Sequence, residues 1–408
     1  MGFGQGLSGL NAAAQNLDVI GNNIANSGTA GFKSGVVSFS DVYANSRVGL
    51  GVKVAAVNQR FTVGNVATTG GEYDIAIDGE KGFFRLADQS GGVFYSRNGE
   101  FLLDKDFFIV NQMGMRLTGY AAGAVGAAPV PLTVPQGNIA PVASTGVGVQ
   151  TNLDANADPI DPATTPFDPT IRSTYTDQVP TTVYDSLGNA HEMQQYFVKR
   201  EANAAGESVY DVYYTFDGNP MPVGAGGAAF ATLRFDTSGV LLNTPPTVDV
   251  SFATPGGVNS PADPMAIALN YDGVTQFGND FNPVLTPDGY ASGQFLGIEI
   301  AADGSVMAQY SNGESQVVGV IALAKFNNVQ GLQPVGNNAW QETAASGQAQ
   351  LGQPGTNSLS TLSGQSLEQS NVNLSNELVN MIIAQRTYQA NTQTIKTQDE
   401  VLQVLMNI

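Results

Sequence analysis

His191 is the only histidine in this chain of 408 residues, and there is no cysteine. A multi-histidine or thiolate metal site is therefore excluded, and a Ser–His–Asp triad would have to run through this one imidazole. His191 lies in Asn189-Ala190-His191-Glu192-Met193, just past a turn and entering an apparent strand, a setting that suits a structural histidine better than a catalytic one. Gly4-Gln5-Gly6-Leu7-Ser8-Gly9 has the spacing of a dinucleotide fingerprint. That motif needs a preceding strand to aim its glycine turn at a helix N-terminus, and there is no room for one here. Asp154-Ala155-Asn156-Ala157-Asp158 is spaced like the start of a calcium loop, but Pro159 stands where glycine is needed and Thr165 where a bidentate glutamate is needed. No GxSxG elbow or phosphate-binding GxxxxGK occurs, and no spacing singles out a carboxylate pair suited to glycoside hydrolysis. The chain reads as a non-enzyme, with no cofactor and no metal.

The elements that remain are built for association. Near the N-terminus, Phe3, Leu7, Leu10, Ala14, Leu17, Gly21 and Ile24 alternate spacings of four and three. Near the C-terminus, Leu374, Met381, Tyr388, Ile395 and Leu402 fall on every seventh residue, with Leu378 beside them. Each pattern puts one narrow apolar stripe along a helix, the geometry of a coiled-coil seam. The surrounding faces are mostly Asn, Gln, Ser, Thr and Ala, so each helix needs partner helices. Leu7, Leu10, Leu17, Ile24, Leu374, Leu378, Met381, Tyr388, Ile395 and Leu402 are the candidate interface residues through which the ends join other chains. A helical hairpin within one chain is the simpler alternative.

Between the ends the chain reads as β-structure. Val48, Leu50, Val52 and Val54 alternate with Gly49, Gly51 and Lys53 at strand period. Asn98-Gly99, inside Tyr95–Phe101, predicts a type I′ hairpin, because both residues tolerate positive φ. Further turns are expected at Asp185–Gly188, Asp217-Gly218, Ser238-Gly239, Asp303-Gly304 and Asn312-Gly313. The expected fold is mainly β with α-helical termini and two nested β-rich domains. Residues 1–30 and 366–408 are the terminal helices, 31–71 and 346–365 connecting segments, 72–145 and 288–345 an inner β domain, and 146–287 an outer acidic β domain.

Charge sharpens this division. Residues 1–71 carry four basic and two acidic groups, whereas 146–287 carry four basic and sixteen acidic groups, a net −12. Nucleic-acid binding, which depends on basic groups displacing counterions, is a poor fit, and the acidic stretch suits a solvated exterior. No stretch approaches the roughly 20 apolar residues of a membrane span, so membrane insertion is not expected. No charged n-region or long apolar run follows Met1, so no cleavable secretory signal is expected, and a protein of this sequence that leaves the cell needs another route. A β-rich secreted carbohydrate-active enzyme or adhesin shares this composition and would show activity or glycan binding in the isolated middle.

The termini then become specific. Leu7-Ser8-Gly9-Leu10-Asn11-Ala12-Ala13, Asn16–Asn26 and Gly31-Phe32-Lys33-Ser34 resemble the start of bacterial flagellar rod and hook proteins. Ser370–Leu374, Glu377–Ile382 and Ala384–Asn391 resemble their C-terminal segment, and Gly82–Leu86, Tyr95–Phe101 and Leu117–Tyr120 resemble their inner β domain. The resemblance covers roughly 1–120 and 288–408 and is looser over 121–287. The length, the Met1–Gln5 opening and Val48–Val52 resemble the hook member, with the distal rod member as the alternative. The resemblance implies a self-polymerising subunit exported through the flagellar type III apparatus. It implies a curved tube, assembled under a cap, that transmits torque and bends as it turns. Its partners would be further copies, the rod, the hook cap, the hook–filament junction proteins and the export apparatus.

Overall fold

The computed structural model describes residues 2–42, 50–224, 226–257 and 259–406. They form two compact units, Met1–Gln136 with Leu296–Gln309 and Ser315–Ile408, and Gly137–Phe295 with Tyr310–Glu314. The second unit is wider at each end than the acidic stretch 146–287 read from charge.

The first unit opens with helix α1, Gly2–Ala25, which stops shortly before Gly28 and Gly31. Gly31 takes φ +67°, and a Cβ there would lie 2.5 Å from the Asn98 amide nitrogen, so both conformation and space demand glycine. Strands β1 (Gly35–Asp41) and β2 (Val52–Gln59) form an antiparallel hairpin with a bulge at Ser38–Phe39. The part of the expected 48–54 strand at 48–49 lies outside the described residues. Segment 31–71 is thus paired structure and not a simple connector, because its period-two apolar residues find partners.

The remaining strands interleave the two halves of the sequence. Strand β3 (Val66–Thr68) pairs with Ser366–Glu368, and β4 (Ile75–Asp78) with Thr361–Gly364. Strand β5 (Phe83–Ala87) pairs with Leu323–Lys325, β6 (Val93–Ser96) with Ala339–Gln341, and β9 (Arg116–Ala121) with Ser315–Ile321. Between β6 and β9, β7 (Phe101–Leu103) pairs with β8 (Ile109–Asn111). Phe83, Tyr95, Phe326 and Trp340 pack edge to face with ring centroids 4.8–5.9 Å apart. Trp340 Nε1 donates to Gln59 Oε1 at 2.7 Å, satisfying its one buried donor.

Two sequence expectations fail here. Asn98-Gly99 is not a hairpin turn: neither residue takes positive φ, β6 pairs with β5, and β7 pairs with β8. Gly99 is needed instead for close approach, since a Cβ there would sit 1.7 Å from the Ile75 carbonyl oxygen. The C-terminal helix α2 spans Leu374–Met406 and does not begin at 366. Ser366–Glu368 is claimed by pairing with β3, and Asn373 starts the helix, its Oδ1 accepting from the Asn376 N–H at 3.1 Å.

The second unit holds two sheets. One is ordered Asp177–Tyr184, Ala190–Arg200, Ser208–Phe216, with Asn219–Pro220 and Ala231–Phe235 both pairing with the third strand. The other is ordered Thr247–Phe252, Met265–Asn270, Gly146–Gln150, Val284–Pro287. Strict alternation along Met265–Asn270 sends Met265, Ile267 and Leu269 into the same core as Phe197, Val212 and Phe216. The Asp217-Gly218 turn has φ +46° and +79°, as its sequence predicts, and Gly188 and Gly239 also take positive φ.

Candidate functional site

The residues that looked catalytic do structural work. His191 is buried, with Nδ1 2.7 Å from Asp217 Oδ2, Nε2 3.4 Å from Asp185 Oδ2, and its ring stacked on Phe216. Both nitrogens are occupied by carboxylates that organise neighbouring turns, so neither is left to serve a nucleophile. Burial raises the Asp185 carboxyl, but hydrogen bonds from Asn189, His191 and Leu187 outweigh it and hold the group below its ordinary value. Asp154 Oδ1 accepts from the Asn156 N–H at 2.8 Å in an ordinary turn. Among the described residues, no group of three or more His, Cys, Asp or Glu is arranged to hold a metal.

The fingerprint-like glycines lie inside α1, and two of them serve the helix pair. A Cβ on Gly6 would lie 3.1 Å from Ile395 Cγ1, and one on Gly9 would lie 2.9 Å from Asn391 Oδ1. The two helices therefore run antiparallel, and small residues on α1 let them approach. This register brings Tyr388 level with Ala12 and Ala13, both buried. By the same register, about the last two turns of α2 run past the start of α1, an overhang of roughly 12 Å at 1.5 Å per residue.

The candidate interface residues divide into two sets. Leu10, Leu17 and Ile24 on α1 and Met381, Tyr388 and Ile395 on α2 are half-buried. Leu7, Leu374, Leu378 and Leu402 are exposed, at 45–51%, together with Phe3, Val379, Ile382, Ile383, Val401 and Val404. The pairing within the chain thus uses only part of the apolar surface, with Gly6 and Gly9 against Ile395 and Asn391 and with Ala12, Ala13 and Ala384 buried, small residues that a search for large apolar side chains passes over. A groove of about 640 Å³ runs beside α1, the β1–β2 hairpin and α2, with Val19, Val37, Phe39 and Ile383 among its walls.

At the base of the two helices sits a buried ion cluster that local sequence patterns did not reveal. Lys33 Nζ lies 2.6 Å from Glu368 Oε1, and Arg97 Nη1 3.2 Å from Glu368 Oε2, with all three side chains at most 1% exposed. Lys33 also donates to the Thr62 carbonyl, Arg97 to the Gly79 and Glu80 carbonyls, and Glu368 Oε1 accepts from the Gly64 N–H at 2.9 Å. Burial pulls both cations below their ordinary pKa values, opposed by the attraction of Glu368. Next to this cluster, Gly31 N–H donates to the Glu368 carbonyl at 2.7 Å and Ser34 N–H to Asn371 Oδ1 at 2.8 Å.

Comparison with known proteins agrees with these elements. Four family profiles match in chain order: a flagella basal body rod protein segment at 5–33, the flagellar hook protein FlgE/F/G D1 domain at 76–152, the flagellar basal body protein FlaE D2 domain at 152–290, and the flagellar basal body rod FlgEFG protein C-terminal segment at 363–408. The flagellar hook protein FlgE of Salmonella typhimurium is 45% identical over 416 residues, covering 100% of both chains. That of Escherichia coli is 44% identical with the same coverage, and that of Borreliella burgdorferi 32% identical over 99% of this chain and 98% of its own. The crystal structure of Helicobacter pylori flagellar hook protein FlgE2 shares the fold at TM-score 0.56 and 15% identity, covering 74% of this chain and all of that one. Paired helical termini, interleaved strands and end-to-end identity with these relatives lead to one assignment: the chain belongs to the flagellar hook protein FlgE family.

Proposed function

We propose that this chain polymerises into the hook of the bacterial flagellum, a curved flexible tube that carries torque from rod to filament. The observation that carries this reading is a terminal helix pair that closes within the chain yet keeps apolar side chains exposed at both of its ends. A contact between unlike surfaces does not close on itself, and repetition generates an open helical array. In this reading α1 and α2 form the inner core of the tube, with Leu7, Leu10, Leu17, Ile24, Leu374, Leu378, Met381, Tyr388, Ile395 and Leu402 in seams within and between copies. The acidic 146–287 stretch supplies the solvated exterior, where like charge keeps neighbours sliding instead of locking. Firm inner contacts with loose outer ones give a shaft stiff in torsion and easy to bend. The chain leaves the cell through the flagellar export apparatus, and the two ends of the tube join the rod below and the junction proteins above.

The relatives' hook names favour hook over distal rod. Electron microscopy of polymer grown from seeds tests the choice: curved, bendable tubes are expected, and short straight rods would support the rod reading.

A further inference from the structure

We infer that the Lys33–Glu368–Arg97 cluster is a buckle that sets where the permanently folded body ends and the helices that order on assembly begin. The cluster lies at the point where both termini leave the β-structure, α1 ending at Ala25 and α2 starting at Leu374. It cinches four separate stretches of chain, around 33, 60–65, 79–97 and 368–371. Lys33 Nζ reaches the Thr62 carbonyl, Glu368 accepts from Gly64, and Gln369 N–H donates to the Asn65 carbonyl at 2.8 Å. Asn371 Nδ2 donates to the Arg60 carbonyl at 2.8 Å, while Arg97 anchors the whole to the Gly79–Glu80 loop. These side chains are sealed from water, where losing Glu368 would strand both cations.

The helices on the far side are held differently. Their mutual seam is made of glycine and alanine against a few larger side chains, and much of their apolar surface is exposed. Few buried contacts and solvent-facing helical hydrogen bonds belong to the low-stability end of a structure. The buckle therefore lets α1 and α2 order and disorder while both remain rooted at one point, so an incoming copy meets two arms already in register. The assembly half of this inference rests on the hook-subunit reading; the buckle itself does not.

Hydrogen exchange on the dilute full-length monomer tests it. The amides of Gly31, Ser34, Gly64 and Gln369 should exchange on the order of 100-fold more slowly than those of α1 and α2. Equal protection would mean there is no boundary at the cluster and would overturn the inference without any variant. Lys33→Met leaves Arg97 on Glu368, one cation on one carboxylate, so the body keeps a balanced pair. It should cost the four base amides at least about tenfold in protection while β5 and β9 keep theirs, as expected of a local opening. Unchanged base protection in that variant overturns the buckle. If the unmodified chain forms no polymer from seeds, it is the hook reading that fails, and the exchange data still decide the buckle.

Discussion

Gly99 separates two explanations of the same glycine. As a type I′ turn residue it would need positive φ, and asparagine would replace it with little loss. In the structure its φ is not positive, and the space is closed. A Cβ at 99 would lie 1.7 Å from the Ile75 oxygen, 2.8 Å from its carbonyl carbon and 3.2 Å from Phe84 Cε2. The obstructing atoms are mainly backbone, so no rotamer change relieves them. Moving the strands apart sacrifices the hydrogen bond from Ile75 N–H to the Gly99 carbonyl, 3.0 Å long, at about 1 kcal/mol. Overpacking a tight core adds about 1–3 kcal/mol. Gly99→Ala should therefore destabilise the first unit by about 2–4 kcal/mol, and Gly99→Asn by at least as much. Gly91→Ala is the control: at φ +90° with nothing within 4 Å, it carries only the backbone penalty of about 1–2 kcal/mol. Urea unfolding followed by Trp340 fluorescence reads all three, since Trp340 is the sole tryptophan and is buried in the same unit. A Gly99→Asn variant within about 0.5 kcal/mol of the parent would refute the close-approach argument and restore the turn.

Tyr388→Asp puts a carboxylate on the α1-facing line of α2. Sedimentable polymer should fall at least about tenfold, as a buried unpaired charge is repeated in every copy, while the thermal midpoint of the β units stays put; normal assembly would place residue 388 at solvent. Asp185 is held below its ordinary value, so its folded pKa is the lower one: it contributes stability above pH ~4 that is lost as pH falls through the folded value. Asp185→Asn should lower stability at pH 7 and flatten the acid decline below pH 4, as read by urea unfolding across pH; a curve merely parallel to the parent's would refute this. Ile139 N–H donates to the Gly293 carbonyl at 2.9 Å, so the chain can be rejoined there by a short turn. Deleting 140–292 this way should leave polymer able to form with altered curvature under the electron microscope; a folded first unit that never polymerises would show that the deleted part supplies an essential contact.

The sequence was readable wherever a local rule decided the structure. Helical termini followed from heptad spacing, and the turns at Asp217-Gly218, Asp303-Gly304 and Asn312-Gly313 from residues that accept positive φ. Long-range demands were not readable. Nothing near Glu368 announces that its partners are Lys33, 335 positions away, and Arg97, 271 positions away. The true start of α2 is hidden because 366–368 has its strand partner in β3, far off in sequence. Gly6 and Gly9 match a nucleotide motif in spacing, although helix packing, which selects small residues, is the constraint acting on them. The exposed leucines were visible as a stripe, but their division between the partner helix and free surface depends on the antiparallel register.

The interleaving of the first unit imposes an order in time. Its innermost cross-pair, β9 with Ser315–Ile321, closes a loop of roughly 200 residues, and its outermost, β3 with Ser366–Glu368, one of roughly 300. Loop-closure entropy grows only logarithmically, so the second closure made alone would cost merely about 0.4 kcal/mol more than the first. Made after the first, it needs only short segments to be drawn in, and each pairing hands the next a nearly closed ring. The unit thus zips outward from the middle of the chain, and pulse-labelling during refolding should protect Gly119–Ile321 before Ala67–Leu367. The sticky ends are drawn together last. In the hook-subunit reading, a half-folded copy has no finished surface with which to bind the wrong neighbour, so the topology would act as a timer on assembly.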